Sequence, residues 1–270
     1  MTTRLQVAIT PCPNDTYLAG ALALGQVSLP DAAVEVVLDD IEALNRAALA
    51  GIPDVVKVSC ALYGALEPEY TLLDVGAAVV DGYGPLVLAR APMHREDLAW
   101  ARIAAPGPHT TGTALFRRWA PLAAPLQFAR YDQLMPGLLD DRWDAAVVIH
   151  EARLTYPGLG LHGLVDLGSW WSESTGLPVA LGCYVMRRSA YARHGKSLEE
   201  TLRESLRRAA AGDAAVEAWI ARHAQEMDPQ VLRDYIQLYV TPRTWQLDAA
   251  GREAILALSS RLHVGTEACV

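Results

Sequence analysis

The sequence contains few cysteines and few lysines. Its 270 residues include four cysteines with no Cys-x-x-Cys spacing, namely Cys12, Cys60, Cys183 and Cys269. This usage argues against a disulfide framework and is typical of a reduced cytosolic protein. Lys57 and Lys196 are the only lysines. Lys57 is of interest because Ser59 follows it closely in a candidate site.

The chain also lacks a basic excess and a long apolar run. It carries 23 basic against 31 acidic residues, a formal net charge of −8. A negative balance argues against non-specific nucleic-acid binding, which needs a basic face. An anionic small molecule stays possible, because one site can be locally positive. No stretch is long enough for a signal peptide or a membrane span, so we expect a cytoplasmic protein without membrane insertion.

Familiar cofactor motifs are missing as well. The sequence has no G-x-G-x-x-G, P-loop or G-x-S-x-G pattern. His150-Glu151 is not followed by a second histidine four residues on, where Leu154 stands, and His109 lacks further spaced ligands. We therefore predict neither a metal nor a nucleotide cofactor.

Short β-type runs alternate with helical patterns through most of the chain, including a helix predicted over Thr111–Trp119. Four helices follow at the end, predicted over residues 198–211, 214–223, 229–239 and 248–262. With 51% hydrophobic residues the chain can bury a large core. The alternation predicts an α/β fold with parallel sheets and helices on both faces. The first helix is predicted over Thr16–Leu24, capped by Asn14, Asp15 or Thr16, and capping is the preferred interpretation for Asp15.

Two similar strands indicate a two-lobed molecule. Gly84–Arg90 and Leu181–Arg188 each contain an apolar run that ends at arginine. Such a pair could carry the chain to a second lobe and back. We predict a large lobe from residues 1–92 and 178–270, a small lobe from residues 93–177, and a cleft between them. A single doubly wound sheet is the alternative that the sequence leaves open.

Polar residues cluster where predicted strands end. The apolar run Asp144–Ile149 leads to His150, which could transfer a proton near neutral pH, although a hydrogen-bonded core histidine would fit equally well. Lys57 and Ser59 follow a third strand. Ligands of open α/β sheets bind outside the carboxyl ends of the strands, which favours a functional interpretation.

A second cluster opens a helix in the other half of the chain. Pro106–Thr111 precedes this helix, whose free backbone N–H groups and threonine hydroxyls could bind a carboxylate. Ordinary capping by Thr110 or Thr111 is the alternative. Asp40 and Asn45 lie near another strand exit. The adjacent Trp170 and Trp171 could line a cleft, but packing of a short helix is preferred.

Taken together, these segments resemble the family of 1,4-dihydroxy-6-naphthoate synthases of the futalosine route to menaquinone. The matching pieces run in order along the chain: Pro11–Thr16, Asp40 through Asn45, Lys57–Ser59, Gly84–Arg90, His109–Thr111, Ile149–Glu151 and Asp166–Pro178. The resemblance implies a type II periplasmic-binding-protein-like fold with two lobes and a central cleft. It also implies a lyase that converts cyclic dehypoxanthine futalosine to 1,4-dihydroxy-6-naphthoate without a cofactor.

The resemblance implies specific roles for several residues. His150 would be the base, while Lys57, Ser59, Thr110 and Thr111 would hold the carboxylate substrate. Asp40, Asn45 and Ile149 complete the set of predicted substrate-binding residues. The chain departs from the family pattern at Arg153-Leu154 and at Gly76–Gly82, which affects the expected fit of the substrate. Glu151 could orient His150 or face solvent.

Two alternatives remain at this point. A related chorismate dehydratase of the same pathway would share the fold, but it is expected to lack the histidine at position 150. A noncatalytic cytoplasmic solute-binding or sensor protein would bind a ligand without consuming it.

Overall fold

The computed structural model describes residues 3–149, 152–224 and 228–260. Within these ranges the strands are β1 (Thr3–Ile9), β2 (Ala32–Leu38), β3 (Val55–Ser59), β4 (Tyr70–Leu72), β5 (Ala78–Val80), β6 (Leu86–Ala89), β7 (Ile103–Ala105), β8 (Leu126–Phe128), β9 (Ala145–Val148), β10 (His162–Asp166) and β11 (Val179–Arg187). The helices are α1 (Pro13–Ala23), α2 (Ile41–Leu49), α3 (Tyr63–Leu66), α4 (Thr111–Trp119), α5 (Leu134–Leu139), α6 (Ala152–Thr155), α7 (Leu167–Thr175), α8 (Arg188–Ala210), α9 (Ala214–His223), α10 (Pro229–Tyr239), α11 (Pro242–Trp245) and α12 (Ala249–Ser260).

The strands form two separate sheets. The first has the order β2-β1-β3-β11-β4, and β5 also pairs with β11; the second has the order β10-β6-β9-β7-β8. β1 is parallel to β2 and β3, and β7 is parallel to β8 and β9. These parallel parts come from the β-α alternation, because a helical crossover returns the chain to the same end of the sheet.

The prediction of parallel sheets holds for only part of each sheet, because two strands reverse direction. β11 is antiparallel to β3, β4 and β5, and β6 is antiparallel to β9 and β10. Each follows a connection between the two sheets instead of a helical crossover within one sheet. Such strands enter from the opposite end, and antiparallel pairing results.

The chain crosses between the sheets twice. It leaves the first sheet after β5 and enters the second at Leu86, and it returns through α7 to begin β11 at Val179. β6 thus already belongs to the second sheet, although the predicted boundary lies at residue 93. The division into lobes at residues 93 and 178 stays a prediction.

Hydrophobic packing extends across both sheets. One core cluster contains Val56 and Val185 from the first sheet together with Ile103 and Val147 from the second. A second cluster covers the other face of the first sheet, where α1, α8 and α9 pack. A third lies on the other face of the second sheet. The shared cluster ties the sheets together and fixes the floor of the space between them.

Helix starts differ from the sequence prediction in two places. α1 begins at Pro13 with Cys12 at the N-cap, because proline is favoured in the first turn. None of the predicted caps is therefore used. α8 begins at Arg188 and not near Leu198, since a buried stripe through Ala190 and His194 continues the helix toward its start. Among the described residues, no helix combines the length and apolarity needed to span a membrane.

The return crossing depends on a glycine. A Cβ on Gly168, in the first turn of α7, would lie 2.1 Å from the carbonyl carbon of Tyr83 and 2.3 Å from the Gly84 nitrogen. Both contacts are with backbone, which cannot rotate away. The two crossings therefore pass each other more closely than any side chain would permit.

We predict that Gly168→Ala lowers the free energy of unfolding by about 2 kcal/mol or more, because overpacking outweighs the gain in helix propensity. Urea denaturation followed by circular dichroism measures this change. Gly158→Ala is the matched control, because its Cβ would meet nothing within 4 Å. Equal stability of Gly168→Ala and wild type would contradict the packing argument.

Candidate active site

A cleft that opens to solvent lies between the two sheets, with about 670 Å³ of empty space when the open part is included. The first sheet contributes Lys57 from the middle of β3 and Ser59 from its end, and the second contributes Ile149 after β9. Thr110 and Thr111, at the start of α4, line the same cleft. The structure thus brings five of the predicted site residues together, from two strands and a helix start in both halves of the chain.

Lys57 is held in place by a buried ion pair. Its Nζ lies 2.6 Å from Asp15 Oδ1, donates to the Gly76 carbonyl at 3.4 Å, and lies 4.8 Å from the centre of the Tyr184 ring. Thr10 Oγ1 donates to the other oxygen of Asp15 at 2.5 Å. The preferred interpretation of Asp15 as a helix cap was therefore wrong. Asp15 compensates the charge of an ammonium group that strand β3 places inside the protein.

Ser59 is oriented by Asn45. Asn45 Nδ2 donates to Ser59 Oγ at 3.0 Å, and the Ser59 backbone N–H donates to Asn45 Oδ1 at 2.9 Å. Asn45 is fully buried in α2 and is not part of the cleft wall. Its observed contact is with Ser59, so its place is behind the wall.

Asp40 also lies outside the cleft wall. It is the N-cap of α2, where its Oδ1 accepts from the N–H groups of Glu42 at 2.8 Å and Ala43 at 3.4 Å. Burial raises the pKa of this carboxyl group, against the lowering effect of the two backbone hydrogen bonds. Ile41, the next residue, does line the cleft. Asp40 thus fixes the start of a helix that borders the site.

The start of α4 faces the cleft and also binds the opposite lobe. Thr110 is the N-cap and accepts from the Thr113 N–H at 3.3 Å. Thr111 Oγ1 donates to the Leu181 carbonyl of β11 at 2.7 Å and accepts from the Ala61 N–H at 3.3 Å. Because both threonine hydroxyls have partners, the donors that remain for a ligand are backbone N–H groups of the first helical turn. Such a helix start attracts anions.

His150 and Glu151 lie outside the described residues. Ile149, which precedes His150 in the chain, lines the cleft. Their predicted roles stay predictions. The tryptophan pair takes the preferred structural role: Trp171 is buried and donates from Nε1 to the Pro178 carbonyl at 3.2 Å, and Trp170 packs against the same core.

The sequence interpretation missed an aromatic wall. Tyr235 and Tyr239 of α10 line the cleft, with ring centres 4.5 Å apart, and Tyr83 packs edge-on against Tyr239 at 5.8 Å. Tyr235 OH donates to Asn14 Oδ1 at 3.3 Å. Burial raises the pKa of Tyr239 to about 12, further above physiological pH than the ordinary value of a tyrosine. The available signal was the spacing of two tyrosines by four residues, which places both on one helix face.

Arg153 joins two elements beside the cleft. Its Nη2 donates to the Gly84 carbonyl at 3.1 Å and pairs with the Asp166 carboxylate. Asp166 in turn caps α7 by accepting from the Gly168 N–H at 2.8 Å. The guanidinium lies 5.4 Å from the centre of the Tyr83 ring. Arg153 thus connects α6 to Gly84 and Asp166, which belong to the two crossings between the sheets. α6 begins two residues after His150.

A family model described as menaquinone biosynthesis matches residues 5–263. A 1,4-dihydroxy-6-naphthoate synthase of Thermus thermophilus is 37% identical over 254 residues, covering 94% of this chain and 92% of the relative. A protein of Streptomyces coelicolor with the same name is 40% identical over 263 residues, covering 95% and 92%. The chain belongs to this menaquinone biosynthesis family. The resemblance found in the sequence is confirmed.

Solved structures confirm the two-lobed, binding-protein-like fold. The chain is similar to a crystal structure of a protein from Archaeoglobus fulgidus, with a TM-score of 0.88, 31% identity and coverage of 95% of this chain and 96% of that chain. It also matches the alkanesulfonate-binding protein SsuA of Xanthomonas axonopodis, with a TM-score of 0.72, 14% identity and coverage of 97% and 92%. The second likeness concerns the fold alone.

We predict that Asp15→Ala lowers the free energy of unfolding by about 3–5 kcal/mol, because it leaves the Lys57 ammonium buried without its counter-charge. Thermal and urea unfolding measure the loss. Glu35→Ala is the control: Glu35 pairs with Arg4 at 3.0 Å on the surface, and its removal should cost less than about 1 kcal/mol. Similar losses of stability in both variants would show that the buried Lys57–Asp15 pair stabilises the fold no more than a surface ion pair does.

Proposed function

We propose that this protein converts cyclic dehypoxanthine futalosine to 1,4-dihydroxy-6-naphthoate, with release of a sugar-derived fragment. The observation that carries the proposal is the composition of the cleft wall. Lys57, Ser59, Thr110, Thr111 and Ile149 line one cleft in a chain whose relatives in two bacteria bear the name of this synthase. His150, the candidate base, directly follows one of these residues in sequence.

The cleft suits a substrate with a carboxylate and an apolar ring. The first-turn N–H groups of α4 and the Lys57 ammonium are donors for the carboxylate. Lys57 has three N–H donors, and its contacts with Asp15 and the Gly76 carbonyl leave the third for a ligand. Tyr235 and Tyr239 offer aromatic surface for the ring. In this proposal, Asn45 acts through Ser59 and Asp40 acts through the start of α2.

The proposed chemistry begins with proton removal. His150 as neutral imidazole would accept a proton beside a carbonyl group of the substrate, and the electron pair would then cleave the bonds to the sugar-derived fragment. Formation of the second aromatic ring makes the overall step favourable. Because the electrons stay within the substrate, the proposed reaction is that of a cofactor-independent lyase. Closure of the cleft would keep water from the intermediate.

We expect His150→Ala to reduce turnover at least about a hundredfold, the usual contribution of a general base, with substrate binding retained. Purified protein is incubated with cyclic dehypoxanthine futalosine, product is detected by mass spectrometry, and binding is followed by calorimetry. His162→Ala serves as control, because this histidine is exposed on the edge strand β10. Full activity in His150→Ala would exclude it as the base.

The same assay separates the alternatives. Binding without turnover by the wild-type protein would favour a solute-binding or sensor protein. Loss of water from chorismate, supplied in parallel, would favour the dehydratase. Formation of the naphthoate by the wild-type protein supports the proposal over both.

A further inference from the structure

The buried carboxylate of Glu42, in the first-sheet lobe, contacts the loop that precedes α4. Glu42, in the first turn of α2, accepts from the backbone N–H of His109 through Oε2 at 3.2 Å. Its Oε1 lies 2.7 Å from His109 Nδ1. Glu42 is 5% exposed, whereas the His109 side chain is 35% exposed. A carboxylate accepts hydrogen bonds, so this contact is a hydrogen bond when His109 carries a proton on Nδ1.

The loop approaches the carboxylate as closely as its backbone allows. A Cβ on Gly107 would lie 2.4 Å from Glu42 Oε2, and φ of Gly107 is +154°. A side chain at position 107 would thus displace either the loop or the carboxylate. The Glu42 and His109 pair, together with the Gly107 contact, is hereafter called the clasp. Arg46 lies 3.9 Å from Oε1 and is largely exposed, so it contributes little.

The clasp is an attachment of the α4 start to the first-sheet lobe. A second attachment is Thr111, whose hydroxyl bridges the Leu181 carbonyl and the Ala61 N–H. The clasp precedes the N-cap Thr110, and the Thr111 contacts follow it. Residues on both sides of the helix start are therefore fixed to the opposite wall. This arrangement fixes the direction in which the free N–H groups of α4 point.

We propose that Glu42 is a positioning residue which, through His109, holds the anion-binding start of α4 in place across the cleft. This inference deepens the proposed function and rests on it for its kinetic consequence. Glu42 itself does not line the cleft. Its carboxylate charge is offset by two N–H donors of His109, so the negative charge faces the loop and does not oppose an incoming anion.

The first test is steady-state kinetics on cyclic dehypoxanthine futalosine. Glu42→Ala should raise KM about tenfold, because the loss of one charge-assisted hydrogen bond weakens binding by about that factor. The kcat should stay within about threefold of wild type. Glu42→Gln keeps an acceptor for the His109 N–H and should stay closer to wild type. Arg46→Ala is the matched control and should change neither constant. A merely structural role would lower the active fraction, and hence kcat, at unchanged KM, and that result would overturn the proposal.

The second test does not depend on the reaction. Hydrogen exchange of peptides covering residues 107–111 should become faster in Glu42→Ala and remain unchanged in Arg46→Ala. Unaltered exchange in Glu42→Ala would overturn the clasp even if the protein is a synthase. Absence of turnover in wild type together with faster exchange would reject the proposed function and leave the clasp intact.

His109→Ala tests the same contact if Glu42→Ala fails to fold. His109 is partly exposed, so its removal leaves the core untouched. It removes one of the two hydrogen bonds and should raise KM by a smaller factor. The double variant Glu42→Ala, His109→Ala should be no worse than Glu42→Ala alone, since both act through one contact. Independent, multiplicative effects of the two substitutions would contradict the proposal.

Discussion

The arrangement of the first sheet depends on the buried pair of Lys57 and Asp15. Lys57 lies in the middle of β3, a strand whose five residues are all buried. An ammonium group in such a strand is tolerated only if a counter-charge is brought to it. Asp15 does so from α1, which means that the turn after β1 must fold back over the end of β3. A Cβ on Gly182 of β11 would lie 2.6 Å from Lys57 Cε, so the neighbouring strand also leaves room for this side chain.

The cleft follows from how the two sheets are joined. One core cluster runs through both sheets, and the crossings touch where Gly168 meets the backbone of Tyr83. This shared base holds the carboxyl end of β3 and the start of α4 on opposite walls. The walls carry different chemistry: hydroxyl and ammonium groups on the first-sheet side, helix N–H groups on the other, and tyrosines from α10. The constellation is therefore a property of the whole chain and belongs to no single element.

Local sequence patterns predicted the elements well, because their signals are short in range. The bounds of α4, α9 and α10 were predicted to the residue, since capping residues and apolar periodicity mark them. The same patterns could not show that Asp15 would meet Lys57, 42 residues away. Such contacts depend on how the strands are ordered, and the pattern that indicated the crossing did not show that β11 would pair with β3. Tyr235 and Tyr239 were missed for the same reason: their spacing defines a helix face but not what the face covers.

Charge compensation inside the site constrains which ligands it can hold. Asp15 offsets Lys57, and the N–H groups of His109 offset Glu42, so the fixed ionic groups around the cleft are largely neutralised by one another. Tyr239 is a neutral phenol at physiological pH, and burial raises its pKa further, to about 12. Oriented N–H groups at the start of α4 then supply most of the attraction for an anion. Their effect depends on direction far more than a mobile side-chain charge would. For this reason Thr111 and Glu42, which fix the helix start, are as important for ligand binding in the proposed site as the groups that face the ligand.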